Sequence, residues 1–494
     1  MTTQAQAITP TPLGIEFTAK LPWLALLPLA LIPLLGTNSG TLNNLLIATE
    51  LLLMAAGVRR PVWVVGALLL NELTAANLMH QVGGGEISNR LILVMISLPI
   101  VAPHIAERFD IGRKALGTVL LGLGFVFLTT FANGVYSSEG YTIQFLRFIG
   151  LGFYLMILIP VAVKDRDDLR DLSVLLLGIG ALVAVASIFQ HYSESRGTPV
   201  WQVLPEAGPG TDTFESWQSR AIGLSANPIL SGNALMMVLL FAVGVLLVMP
   251  APTSTKRAIA VIALMMLGAG YFTYTRSWMA ALGPAIVSMA VLYRGAYRKE
   301  FWILIVVLAA GFWYWSDMNS TRYTLTAEQD GSAAARPVLS TLAFDIASDN
   351  PWLGVGHDQF LELSPTYART LDPDLLSRQG ARDVVGVYTP HNDLLNVWLS
   401  WGFFALLIYV VFSAVIGWNF YLAFAASADP FLRGMAMGGL AALIGYQANA
   451  LFHNFLDATL ALWVLGGISL LLLKLGEQAP RSLLKREEKT EGTA

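Results

Sequence analysis

The feature that most restricts this chain is a succession of apolar runs, each near the length needed to cross a bilayer and separated by short polar connections. Lipid offers no hydrogen-bond partner to an exposed peptide group, so a span must be a helix of roughly 20 mostly apolar residues. Runs of this kind fall near 22–38, 42–58, 61–78, 91–106, 115–133, 146–163, 171–190, 227–249, 258–273, 277–293, 301–315, 394–418, 433–452 and 457–475. They predict an all-α polytopic membrane protein with about 12–14 transmembrane helices, one or two of the shorter runs being re-entrant. Only 13% of the residues are charged, against about 25% in soluble domains. The net charge of −3 comes without a basic block, which argues against a nucleic-acid partner. The absence of cysteine excludes disulfides, thiolate catalysis and cysteine-ligated metal. No A-x-A-like site follows the first apolar run, so that run is expected to be a retained anchor.

The distribution of Lys and Arg orients the spans. With residues 1–20 as a cytoplasmic tail, alternate connections fall inside. They carry Arg59-Arg60, Arg108/Arg113/Lys114, Lys164/Arg166/Arg170, Lys256-Arg257, Arg294/Arg298/Lys299 and Arg433, and 476–494 is a second cytoplasmic tail. Helices over 21–315 are then followed by one long external loop, 316–392, and by further spans over 393–475.

Cations on the external side are few, and each needs a reason. Arg147 starts the sixth span, and Arg220 precedes Asn227-Pro228, a cap followed by a good first helical residue. Arg276 sits in the tight turn Tyr274-Thr275-Arg276-Ser277-Trp278. Arg336 opens an amphipathic helix with Leu339, Leu342, Ala343 and Ile346 on one face. The loop closes with Tyr388-Thr389-Pro390-His391-Asn392-Asp393, where Asn392 or Asp393 caps the next helix. The dipole of that helix favours neutral His391, a form suited to general-base work. Singly, each arginine has a bland reading as an interfacial snorkelling side chain, and the histidine as part of a cap. Together they suggest an anionic lipid substrate, because guanidinium forks match phosphate oxygens and helix starts supply further N–H donors.

Two features compete. Asp372-Pro373-Asp374 has the D-x-D form of a divalent-ion site, although a proline turn with solvated acids explains it as well. Glu50 and Asn71-Glu72 lie inside predicted spans, where carboxylates often mark ion pathways; they keep a transporter or flippase reading open, and serve equally well as protonated or hydrogen-bonded structural groups.

The second half of the chain resembles the O-antigen ligase / O-antigen polymerase family of bacterial membrane glycosyltransferases. The matching stretches are Arg220 with Gly223-Leu224 and Asn227-Pro228, Thr275-Arg276-Ser277, Arg336 with its helix, Asn350-Pro351-Trp352-Leu353-Gly354-Val355-Gly356, and His391-Asn392-Asp393-Leu394-Leu395 running into Trp401-Gly402-Phe403. The resemblance implies a GT-C-type, metal-independent, inverting enzyme of the inner membrane, with no cofactor, acting in lipopolysaccharide biosynthesis. It would move a glycan from undecaprenyl diphosphate to an acceptor hydroxyl in the periplasm, on lipid A core oligosaccharide for a ligase or on another lipid-linked glycan for a polymerase. Carried over, His391, Arg220 and Arg276 are the catalytic set. Arg147, Arg336, Asn392, Tyr388 and Tyr274 are candidates for binding diphosphate or glycan, and the Gly354-Val355-Gly356 turn shapes the loop over the site. The family usually has about 12 spans, fewer than the runs counted here.

Overall fold

A computed structural model describes residues 39–74, 79–82, 85–108, 113–137, 139–195, 220–225, 228–295, 298–299, 301–303, 305–306, 310, 331–357, 359–376, 384–456 and 458–478. The predicted span at 22–38 and most of that at 301–315 lie outside these residues. The rest is an all-α polytopic membrane bundle, as the apolar runs predict. Its membrane helices are α1 (Ser39–Gly57), α2 (Val62–Leu73), α3 (Asn89–Arg108), α4 (Arg113–Tyr136), α5 (Glu139–Ala162), α6 (Arg166–Ser195), α7 (Pro228–Val248), α8 (Thr253–Phe272) and α9 (Arg276–Leu292). Within the long loop come α10 (Gly331–Asp349), α11 (Gln359–Tyr367) and the single turn α12 (Pro373–Leu376). The chain then returns through α13 (Asp393–Ala426), α14 (Pro430–Ala450) and α15 (Ala461–Gln478).

Among the described residues, five helices are long and apolar enough to span by themselves: Ala115–Tyr136, Arg166–Tyr192, Pro228–Val248, Thr253–Phe272 and Asp393–Ala426. Six shorter apolar helices accompany them. One feature escaped the apolar-run reading. Met79–Val82 (β1) and Gly85–Ser88 (β2) pair as a small antiparallel hairpin between α2 and α3.

α13 and α14 lie at the centre, with α14 packing on α7, α9 and α13. Helices in lipid gain nothing from expelling water, so close packing and interhelical hydrogen bonds hold them together. Gly434 and Gly438 of α14 meet Gly244 of α7 so closely that a side chain at any of the three would strike backbone. Asn419 of α13 donates to Thr118 Oγ1 of α4 at 2.8 Å, and Gln447 of α14 donates to Ser413 Oγ of α13 at 2.9 Å.

The two ends of the bundle differ. At one end, Arg60 pairs with Asp168 and, at 2.8 Å, with Asp171. There too Arg166 pairs with Asp429 at 2.6 Å. These are connections the Lys/Arg count puts in the cytoplasm. The opposite end holds the 220–225 segment, the α8–α9 turn, the start of α13 and the 451–460 connection. The intramembrane carboxylates lead to that end. Glu72 pairs with Arg90 at 2.8 Å and accepts the Leu460 N–H at 2.6 Å, fixing the start of α15. Asn71 donates to Glu50 Oε1 at 3.1 Å. The residues that kept a transporter in view thus have a structural account.

α13 is not one continuous helix. Gly402 has φ 80° and ψ −179°, a conformation open almost only to glycine. In an unbroken helix Phe403 N–H would donate to Leu399 O. Here it donates to Pro351 O at 2.8 Å, and Leu399 O accepts Val355 N–H at 2.9 Å instead. Gly356 N–H donates to Ser400 O at 3.0 Å. The Asn350–Gly356 stretch and Trp401-Gly402-Phe403, separate motifs in sequence, are the two sides of one clasp.

Candidate active site

The site is built where the α8–α9 turn, the His391 junction and the 451–456 segment meet. Arg220 is buried, and its Nε donates to Thr273 O at 2.8 Å and an Nη to Thr275 Oγ1 at 2.9 Å. Ala221 N–H donates to Phe272 O, so the backbone before α7 lies along the end of α8. Thr275 Oγ1 also approaches Pro228 O, the first residue of α7, at 3.3 Å. Arg276 is the first residue of α9, directly after the α8–α9 turn.

His391 sits between this cluster and α13. Asn392 caps α13, its side chain accepting Leu395 N–H at 3.1 Å as the sequence predicts. Its own N–H donates to Asn454 Oδ1 at 2.9 Å. Asp393 is buried, and its Oδ1 accepts Phe455 N–H at 2.8 Å and Leu456 N–H at 3.2 Å. The 451–456 segment is thereby sewn to the start of α13. Among the described residues, only Tyr274 and His391 of the non-glycine residues have positive φ, at 49° and 53°. Both flank the site, the usual place for backbone strain that the surrounding structure holds fixed.

The sewing brings in a residue that sequence reading missed. His453 is buried, its Nε2 lies 2.8 Å from Ser277 Oγ, and its ring stands edge-on to His391 with centroids 6.0 Å apart. Burial holds its proton affinity well below the ordinary histidine range, and the charges of Arg336, of His391 when protonated, and of Arg220 push the same way. Both influences favour its neutral form. Arg336, near the start of α10, lies over the Phe452 ring at 5.7 Å. Burial and then Arg276 draw its proton affinity below the ordinary arginine range. Arg220, Arg276, Arg336, His391 and His453 thus feel one another electrostatically although they come from five separate stretches of chain. Like charges crowded at a half-buried surface favour an anion between them.

The remaining candidates divide. The Tyr388 ring lies 6.1 Å from His391, beside the cluster. Tyr274 turns to an aromatic group, its ring 6.0 Å from both His191 and Tyr271. Arg147 belongs to α5, and its side chain lies outside the described residues. Asp372 accepts the Asp374 N–H at 2.9 Å, the self-capped turn that competed with a metal site.

The fold defines a multi-pass membrane protein with a cationic, histidine-bearing centre at one end of its bundle. Residues 261–410 match the family model for O-antigen ligase, and no curated protein matches the chain. Over that stretch the chain is similar to the O-antigen ligase family. The matched stretch contains Arg276, Arg336 and His391. Arg220 and His453 lie outside it and reach the centre through the fold.

Proposed function

We propose that this enzyme transfers a glycan from undecaprenyl diphosphate to a hydroxyl of lipid A core oligosaccharide on the periplasmic face of the inner membrane, without a metal and with inversion. The observation that carries the reading is the meeting of Arg220, Arg276 and Arg336 with His391 at one end of an apolar bundle. The carrier's chain would lie in the bilayer and its diphosphate among the guanidinium groups, whose planar forks match phosphate oxygens. The acceptor oxygen attacks the anomeric carbon and its proton passes to His391. The bond from that carbon to the diphosphate breaks, and the electron pair stays on a diphosphate oxygen that Arg220 and Arg276 stabilise. The acceptor alone separates this activity from that of a polymerase using the same centre.

Purified protein supplied with the lipid-linked glycan and lipid A core should form product without an ion gradient and in the presence of a chelator. Movement of lipid with no new glycosidic bond would sink the transferase reading. Activity lost to the chelator and restored by Mg²⁺ would sink the metal-free mechanism. Mass spectrometry of cells lacking the protein should find core without glycan while polymer remains on the carrier. Short unpolymerised units would mean a polymerase instead.

A further inference from the structure

We infer that His453 is the proton-coupled member of the donor site: it takes up a proton when a lipid diphosphate enters the arginine cluster. The inference rests on the diphosphate reading above and assigns a role to a residue outside the matched family stretch.

The geometry leaves His453 few choices. Ser277 Oγ, beside Arg276 at the start of α9, lies against its Nε2 at 2.8 Å. The His391 ring, at the junction before α13, stands 6.0 Å away, Arg336 of α10 lies over the neighbouring Phe452 ring, and the charges of Arg336 and Arg220 both act on His453. Among the described residues, the carboxylate of Asp393 at the start of α13 is engaged by the N–H groups of Phe455 and Leu456. Glu72 of α2, which reaches the far end of this connection, is held by Arg90 and Leu460. Without a substrate anion, the imidazole therefore meets burial and positive charge, and a proton on it is unfavourable.

A diphosphate esterified at both ends carries two negative charges. Placed among Arg220, Arg276 and Arg336, it cancels the repulsion that keeps the proton off and reverses the field at His453. Ser277 can answer either state, because a hydroxyl donates to a bare Nε2 or accepts from Nε2–H. Transfer then leaves one more negative charge on the diphosphate, because the bond to the sugar breaks and its electron pair stays on oxygen. A protonated His453 meets that new charge. The proton comes from solvent when the donor binds and departs with the diphosphate or returns to solvent. The linkage has a definite sign: a group with a higher pKa in the bound than in the free state strengthens binding at low pH, and the gain fades as pH rises through the bound-state value.

The test is calorimetric titration of the detergent-solubilised full chain with a short-chain citronellyl-diphosphate-linked N-acetylglucosamine. The doubly esterified diphosphate of this probe keeps its charge across the pH range used. Titrations in two buffers of different ionisation enthalpy report proton uptake directly. The wild type should take up a sizeable fraction of one proton per probe bound. Its affinity should rise as pH is lowered from about 8 to about 6, by up to about tenfold per pH unit. Uptake should vanish in His453→Gln, whose amide still reaches Ser277, and persist in His391→Gln. Ser277→Ala, which keeps the imidazole and frees Nε2, should retain uptake with a displaced pH midpoint. Binding by the wild type without uptake, or uptake unchanged in His453→Gln, overturns the inference and leaves the diphosphate site standing. Failure of the wild type to bind the probe overturns the diphosphate reading, and the inference with it.

Discussion

Arg60 and Arg166 at one end of this bundle are held differently from Arg220 and Arg336 at the other. Arg60 and Arg166 at one end close on Asp168, Asp171 and Asp429, so their charge is matched where it lies. At the other end, Arg220 donates to the neutral oxygens of Thr273 and Thr275, Arg336 lies against a phenyl ring, and Arg276 and Arg336 repel. Matched charge fastens connections together. Crowded like charge raises the free energy of the empty site and lowers it again when an anion arrives, the arrangement a binding site requires.

That contrast can be broken by experiment. The largest effect is expected at the base. His391→Ala should lower turnover by about 10²–10⁴-fold with donor binding largely kept. The acid limb of the pH–rate profile should vanish in His391→Gln; near-normal turnover of folded His391→Ala would reduce the residue to a prop for the α13 cap. Next, Arg276→Ala should cost about 10²–10³ in kcat. Arg220→Lys should recover only part of wild-type activity, since an ammonium lacks the fork that bridges two oxygens. Full activity in Arg220→Lys would mean that a point charge suffices there.

A third expectation concerns stability. His453 has a lower pKa folded than unfolded, where it titrates near the ordinary value of about 6.5. Below that value the unfolded chain binds more protons, so the substrate-free protein should lose stability as pH falls, by up to about 1.4 kcal/mol per unit. Thermal melts at about pH 7.5 and 5.5 should show this loss in the wild type and a smaller one in His453→Gln. The smallest effect belongs to the end that carries Arg60. Arg60→Ala should cost roughly 1 kcal/mol or less, because the pair is part-exposed, and leave kcat unchanged. A large loss of kcat there would erase the distinction between the ends.

Much of the site was legible because it is local chemistry. A cap, a first helical proline and an amphipathic helix are written in neighbouring residues, and Asn392, Pro228 and the Leu339/Leu342/Ala343/Ile346 face all take their expected places. The scarcity of arginine on one side singled out Arg220, Arg276 and Arg336. His453 left no such trace. It lies just past a predicted span, among Phe452 and Phe455, and its meaning comes from Asn454 and Asp393 joining stretches some sixty residues apart. Glu72 stayed open between an ion pathway and a structural role for the same reason, since its partners Arg90 and Leu460 are distant in sequence. The break at Gly402 was hidden inside an apolar run, because hydropathy reports what a residue dissolves in and nothing about which carbonyl its N–H reaches. The β1–β2 hairpin was lost between spans on the same ground.

The clasp at Gly402 has a consequence for anyone exchanging parts between related enzymes. Its backbone is shared: Pro351 O serves Phe403, and Leu399 O serves Val355. A loop transplanted over 331–392 would arrive carrying half of a joint whose other half, residues 399–403, stays with the host. Any side chain at 402 would run into the Trp352 carbonyl, so a host lacking glycine there rejects the graft whatever its specificity. Chimeras cut at the loop's visible ends should therefore be unstable, and those cut after residue 403 should fold. The heritable unit of acceptor choice in this architecture would then be the loop together with the first turns of the helix that follows it.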